Sequence, residues 1–292
     1  MFTLAHLSDP HLSPLPAPSR RELVGKRVTG YFNWQRKRRF VHDPVALRRV
    51  IGDLKTTATE HIAITGDFAN IALPDEFETM RKWLPGLGPQ YDLTVIPGNH
   101  DVYVPGALEL MRAAAADSMR GDDNGAEFPF VRRRGQLALI ALNTGVPTPP
   151  LMATGRLGDD QLARLARLLP ALKAEKLFRV VLIHHPPESD APRYKKLTDA
   201  RAFKAVIAEH GAELILHGHD HIHQLHWLIG PDGRVPAVGV PSASVAPGKG
   251  HDAGGYNLYR IEGEPGAWRC EMEMRGIDGD RVVTLKKVML TA

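Results

Sequence analysis

Five short clusters of Asp, His and Asn, each directly after an apolar β-like run, constrain this chain more than any other feature. They are Asp9-Pro10-His11, Gly66-Asp67-Phe68-Ala69-Asn70, Gly98-Asn99-His100-Asp101, His184-His185-Pro186-Pro187 and Gly218-His219-Asp220-His221. The runs before them, Phe2–Leu7, His61–Thr65, Leu93–Ile96, Phe178–Ile183 and Leu214–His217, are short and rich in Val, Ile and Leu, as strands are. Polar residues that recur at strand ends line up along one edge of a sheet, where α/β folds gather ligands. A fold that satisfies all five clusters must bring the two ends of the stretch from Asp9 to His221 together.

The rest of the pattern agrees with that class. Helical periodicity predicts helices over Asp43–Ala58, Pro74–Leu84, Pro105–Ala116, Asp159–Leu169 and Asp199–Glu209, with a further strand at Leu137–Leu142. In the Asp159 segment, Leu162, Leu165, Leu168 and Leu169 form one apolar stripe behind two N-terminal acids. Beyond about residue 212 the pattern turns to strands: Gln224–Ile229, Val235–Val240, Tyr256–Ile261, Trp268–Met274 and Arg281–Met289. Alternating α and β followed by a β-rich tail reads as an α/β chain of two packed sheets with helices outside. No repeat or low-complexity linker divides it, so residues 1–292 are expected to form one domain. The chain's 292 residues, 43% hydrophobic and 24% charged, suffice for a large core. Cys270 is the only cysteine, which excludes an internal disulfide framework and favours a reducing compartment. The start Met1-Phe2-Thr3-Leu4 has neither the basic residues nor the apolar stretch of a secretory signal. With no run long enough to span a bilayer, a cytoplasmic location is expected.

Carboxylate, imidazole and amide oxygen together suit divalent zinc, manganese or iron better than thiolate-loving copper. Glycine at 66, 98 and 218 lets the backbone turn sharply and approach such a site. Taken singly, most clusters have plainer readings: an Asp-Pro turn, a Gly-Asp turn, a capped loop, a polyproline-like strand exit. Gly218-His219-Asp220-His221 is the exception, since histidines on a glycine turn do little for a core. All five in chain order, each after a strand, outweigh the plain readings.

This ordered set resembles the calcineurin-like metallophosphoesterase superfamily, whose signature is D-x-H, G-D-x-x-D/N, G-N-H-D/E, a strand-end histidine and G-H-x-H. The resemblance runs from about Thr3 to about His221. It implies a four-layer αββα sandwich and a pair of divalent or mixed-valence ions (Mn, Fe or Zn). Asp9, His11, Asp67 and His221 would hold one ion; Asp67, Asn99, His184 and His219 would hold the other, with Asp67 bridging. His184 rather than His185 is the expected ligand, leaving His185 as a cleft residue or merely exposed, and Asn70 supports its loop. Two cations about 3.5–4 Å apart polarise phosphoryl oxygens and lower the pKa of a shared water. His100 would stabilise developing charge or protonate the leaving group, and Asp101 would orient its imidazole. The resemblance implies hydrolysis of a phosphodiester or pyrophosphate. Lipid-linked substrates such as UDP-diacylglucosamine are one family precedent; class III cyclic nucleotide phosphodiesterases, which share the His-His-Pro-Pro and Gly-His-Asp-His style, are another. A non-catalytic, metal-stabilised membrane-surface protein would require a missing ligand or a missing His100, and neither is missing.

One segment carries the chain's basic character. Arg20, Arg21, Lys26, Arg27, Arg36, Lys37, Arg38 and Arg39 face only Glu22, whereas the whole chain is +4, so the remainder is net acidic. This insertion, at about 15–42, interleaves its charges with Leu23, Val24, Val28, Tyr31, Phe32 and Trp34. A helix here would present a basic amphipathic face to an anionic membrane, or pack its aromatics inward. Nucleic acid, also served by cations and aromatics, is the third and less favoured partner. Arg132-Arg133-Arg134 reads as a solvated strand end, and His223 and His226 as strand residues. Pro241–Ser244 and Gly254–Asn257 read as loops near the cleft.

Overall fold

The computed structural model describes residues 1–249 and 252–291. Two mixed sheets of six strands each form its centre. In the first, β1 (Phe2–Leu7), β2 (His61–Ile64) and β3 (Leu93–Val95) run parallel; β10 (Gly255–Glu262), β11 (Arg269–Asp278) and β12 (Arg281–Thr291) extend it antiparallel from the β1 edge. In the second, β5 (Leu137–Ala141), β6 (Phe178–Leu182), β7 (Leu214–His217) and β9 (Gly233–Gly239) are parallel, flanked by antiparallel β4 (Phe130–Arg134) and β8 (Gln224–Gly230).

Side-chain alternation along β5 explains the layering. Leu137, Leu139 and Ala141 point into a core shared with Leu4, Leu7, Ile64 and Val95 of the other sheet. Ala138 and Ile140 point the opposite way, onto helices α5 (Asp159–Ala174) and α6 (Ala200–His210) through Leu165, Leu169, Phe203 and Ile207. Helices α2 (Pro44–Leu54), α3 (Pro74–Trp83) and α4 (Ala107–Ala115) pack on the first sheet's side through residues such as Val50, Met80 and Met111. The result is the expected four-layer αββα sandwich. Central strands are covered on both faces, which is why β5 is continuously apolar in sequence and β1, β2 and β6 nearly so, interrupted by Thr3 and His6, His61 and Arg179. No helix of the described residues is long and apolar enough to cross a membrane.

Three expectations are corrected. Helix α5 does not stop at Leu169: it runs through Pro170 to Ala174, and the burial of Leu172 there outweighs the local cost of proline. Arg132-Arg133-Arg134 is not a solvated end but the edge strand β4, with alternating sides. Arg132 is buried and donates to the carbonyls of Leu93, Tyr91, Gln90 and Asp117; Arg134 pairs with Asp122 and covers the Tyr91 ring; Arg133 alone turns outward, to Glu175. Gly254–Asn257 is not a cleft loop, because Tyr256 and Asn257 are buried in β10.

The basic insertion forms α1 (Lys26–Arg36) followed by a single 3₁₀ turn, Arg38–Phe40. Tyr31 and Trp34 stack at 6.5 Å and pack against the main core. Lys26 reaches Thr148 and the Met152 carbonyl, and Arg27 the carbonyls of Ile71 and Ala72. Gly30 is required where α1 crosses Tyr103, since a Cβ would lie 2.5 Å from the Tyr103 hydroxyl. Val24, Phe32 and Phe40 stay exposed.

Candidate functional site

The parallel strands of both sheets deliver all five clusters to one edge. Loops after β1 and β2 are joined by Asp9 N–H donating to the Gly66 carbonyl and His11 N–H to that of Asp67. Asp9, His11, Asp67, His219 and His221 all have positive φ, between 37° and 71°. That region is unfavourable for residues with a Cβ, and such strain concentrates at functional sites. Gly66 also has positive φ and sits against Gly98, leaving no room for a side chain at either position.

Two donor groups result. Asp9, His11, Asp67 and His221 have ligand atoms mutually within 4.8 Å, and so do Asp67, His184 and His219. Asn99 joins the second group, its Oδ1 lying 3.2 Å from His184 Nε2 and 2.8 Å from His219 Nδ1. Asp67 belongs to both. The seven expected ligands are thus brought together, and their chemistry fits two cations. His11 Nδ1 donates to the Ala69 carbonyl and His184 Nδ1 to that of Thr65, so each presents its Nε2 lone pair to the centre. His11 Nε2 and His221 Nε2 converge to 3.4 Å, an arrangement of facing ring nitrogens that a shared cation relieves. Burial raises the Asp9 pKa, but His221, whose Nε2 lies 3.0 Å from Oδ1, outweighs it and holds that carboxyl well below the usual range.

His100 lies beside these groups. Its Nδ1 donates to the Asn70 carbonyl at 2.6 Å, its N–H donates to Asp67 Oδ1, and its ring stacks on Tyr103 at 5.5 Å. Burial, then the Arg38 cation, push its pKa well below the ordinary value. Asp101 does not orient His100, contrary to expectation. Its carboxylate accepts the N–H groups of Asp67, Phe68, Ala69 and Gly98, which makes it the buckle between two ligand loops. His185 is not exposed: it is buried between the Thr144 hydroxyl and the Ala153 carbonyl, its ring 4.3 Å from that of His219.

Several participants escaped the sequence reading. Buried Glu76 accepts N–H groups from Asn70, Ile71 and Leu73, supporting the Asp67 loop beside Asn70. His42 lies beside both His11 and His221, with ring centroids 4.3 and 5.7 Å away and Nδ1 on the Ser244 hydroxyl. It is a third histidine within ligand distance of that pair. Ser242 donates to the Asp9 carbonyl at 2.6 Å, so Pro241–Ser244 supports the site from behind. Arg38 enters the cleft from the basic insertion, Nη1 lying 2.8 Å from His100 Nε2. Glu76 could have been suspected as a capping acid; for His42 and Arg38 no local pattern exists.

The family model described as calcineurin-like phosphoesterase matches residues 2–223. A Synechococcus protein named as a probable cyclic nucleotide phosphodiesterase is 26% identical over 240 residues, 80% of this chain and 83% of its own length. A dimetal phosphatase from Danio rerio superposes with a TM-score of 0.63 at 14% identity, covering 99% of this chain and 98% of that one. A purple acid phosphatase from yellow lupin seeds gives 0.59 at 12% identity, covering 97% of this chain and 52% of that one. The two structural likenesses speak to the fold alone.

Proposed function

The chain belongs to the calcineurin-like phosphoesterase family, and from that premise we propose that it hydrolyses a phosphodiester, with a cyclic nucleotide as the leading substrate class. One observation carries the reading: two donor groups that share Asp67 open onto a further, non-ligand imidazole, His100. Asp9, His11, Asp67 and His221 would hold one divalent ion, and Asp67, Asn99, His184 and His219 the other. When bound, the ions supply Lewis-acid polarisation of the phosphoryl group and a water-derived nucleophile at neutral pH. The chain's own residues do the rest. Asp101 and Glu76 keep the ligand loops in register, so donors are placed before substrate arrives. His100, steadied by the Asn70 carbonyl and the Tyr103 ring, faces the cleft through Nε2; only with a second proton on that nitrogen, as an imidazolium, does it stabilise charge on the leaving oxygen or deliver the proton to it. The cyclic nucleotide class is supported by the Synechococcus relative's name and by the His-His-Pro-Pro and Gly-His-Asp-His motifs.

The test is a hydrolysis panel on protein loaded with manganese, zinc or iron: bis-p-nitrophenyl phosphate, p-nitrophenyl phosphate, cyclic AMP and a UDP-linked diacyl lipid. We expect diesters to exceed the monoester at least about tenfold, a preference of about 1.4 kcal/mol in the transition state. Metal-loaded protein inert towards every diester overturns the reading.

A second reading, a lipid-linked substrate at an anionic membrane, rests on the outer face of α1 and its flanks. Val24, Phe32 and Phe40 are exposed there, beside outward Arg36, Lys37 and Arg39. Arg38 must be left intact when this is tested. Replacing Arg36, Lys37 and Arg39 with Ser should abolish sedimentation with anionic vesicles while sparing hydrolysis of a small diester. Equal sedimentation with neutral vesicles counts against it.

A further inference from the structure

Arg38 is poorly served where it stands. Its Nη1 lies 2.8 Å from His100 Nε2, and because His100 Nδ1 carries its proton towards the Asn70 carbonyl, Nε2 accepts this bond. Nη2 lies 2.8 and 2.9 Å from the two ring nitrogens of His11. Equal reach to both nitrogens places it over the ring rather than along a lone pair, and His11 Nδ1 already faces the Ala69 carbonyl. Nε is buried with no hydrogen-bond partner. A guanidinium offers five N–H donors in a planar fork, and this one has a single well-formed acceptor. Buried donors left unpaired call for an explanation.

The surroundings narrow what could satisfy them. Of the nearby carboxylates, Asp9 and Asp67 belong to the two metal donor groups, so bound ions claim them, and Glu76 is taken up by the N–H groups of Asn70, Ile71 and Leu73. An incoming phosphate is the remaining anion, and its non-bridging oxygens match the fork. Arg38 is also held in place: Trp34 and Tyr31 are packed on the core, Arg27 is tied to the carbonyls of Ile71 and Ala72 just past Asp67, and α1 crosses Tyr103, which stacks on His100. The insertion is therefore a wall of the cleft that ends in a guanidinium beside His100.

We propose that Arg38 binds the substrate phosphoryl group, its fork taking non-bridging oxygens next to His100 once the ions are in place. This rests on the phosphoesterase reading. The rival is that Arg38 only substitutes for the ions' charge over Asp9 and Asp67 and leaves when they load.

Inorganic phosphate separates the two without catalysis. Manganese-loaded wild type, Arg38→Met, Arg38→Lys and Arg39→Met are titrated with orthophosphate by calorimetry, with manganese content and affinity measured in parallel. Arg39 bonds Gln35 and covers Phe40 outside the cleft, so its variant is the control. We expect about two ions per chain in all four proteins. Phosphate affinity should fall about 10–100-fold in Arg38→Met, the worth of a charge-assisted pair, fall less in Arg38→Lys, and hold in Arg39→Met. Phosphate affinity within about twofold of wild type in folded Arg38→Met overturns the proposal, and a gain in manganese affinity alongside it establishes the rival. Should Arg38→Met fail to fold by circular dichroism, Arg38→Lys decides: a lysine that binds phosphate as tightly as wild type also overturns it. Failure of the phosphoesterase reading looks different, with phosphate bound and no ester hydrolysed.

Discussion

Asp101 holds Asp67 by the backbone: its Oδ2 accepts the Asp67 N–H at 2.7 Å and the Gly98 N–H at 2.9 Å. The same carboxylate takes the N–H groups of Phe68 and Ala69 through Oδ1. Burial, then the Asp67 carboxylate, raise its pKa, against the Ala69 and Gly98 N–H donors. The loops bearing Asp67 and Asn99 are thereby fastened to each other, and the residue shared by both donor groups cannot drift.

Asp67→Asn should therefore lose more metal than any other single ligand change, because one substitution weakens both groups. Elemental analysis after dialysis against a weak chelator reads this directly. A variant that retains both ions would show that Asp67 does not bridge.

His100→Asn should keep its metals and lose about 10²–10⁴-fold in turnover, the usual worth of a positioned acid or charge stabiliser. The loss should shrink for diesters with good leaving groups, which need no proton. An equal loss across a leaving-group series would remove the acid role and leave charge stabilisation.

The alternation in β4 makes a contrast between adjacent arginines. Arg132→Met strands the buried carbonyls of Leu93, Tyr91 and Gln90 and should cost about 2–4 kcal/mol. Arg133→Met, which removes one exposed pair with Glu175, should cost under about 1 kcal/mol. Urea unfolding of both variants checks the order, and equal costs would refute the inward orientation.

Acid stability should report on Glu273. Burial raises its pKa, but the Thr284 hydroxyl, then Arg260, outweigh burial and bring it from 4.5 to about 2. A carboxyl depressed in the fold stabilises fully above its unfolded pKa and loses that contribution as pH falls through the folded one. Wild type should lose about 1–2 kcal/mol more than Glu273→Gln between pH 5 and pH 2. Parallel pH profiles of the two would count against these contacts.

What the sequence determined by itself is the part of the molecule where type and local order suffice. Short, largely apolar runs such as Leu137–Leu142 and Phe178–Ile183, too short for helices and bounded by turn residues, read as strands covered on both faces, and parallel strands put their polar exits on one edge. The clusters at Asp9, Asp67, Asn99, His184 and His219 were legible for that reason, since each is a local string of donors after a strand. The tertiary structure decided everything that depends on which face turns inward and on contacts between distant segments. Arg132 and Arg133 are one residue apart and chemically identical, yet a strand's period of two buries the first and exposes the second. Arg36 to Arg39 read as one basic surface, yet the 3₁₀ turn after α1 sends Arg38 into the cleft and leaves its neighbours outside. His42 precedes an ordinary helix cap in sequence and stands 4.3 Å from His11 only because residues 242–246 bond the chain at Ser8, after β1, and at Val41–Asp43, before α2. Asp101, one residue from His100, turns away from it because four unpaired N–H groups of two sharp loops attract a buried carboxylate more strongly than one imidazole does.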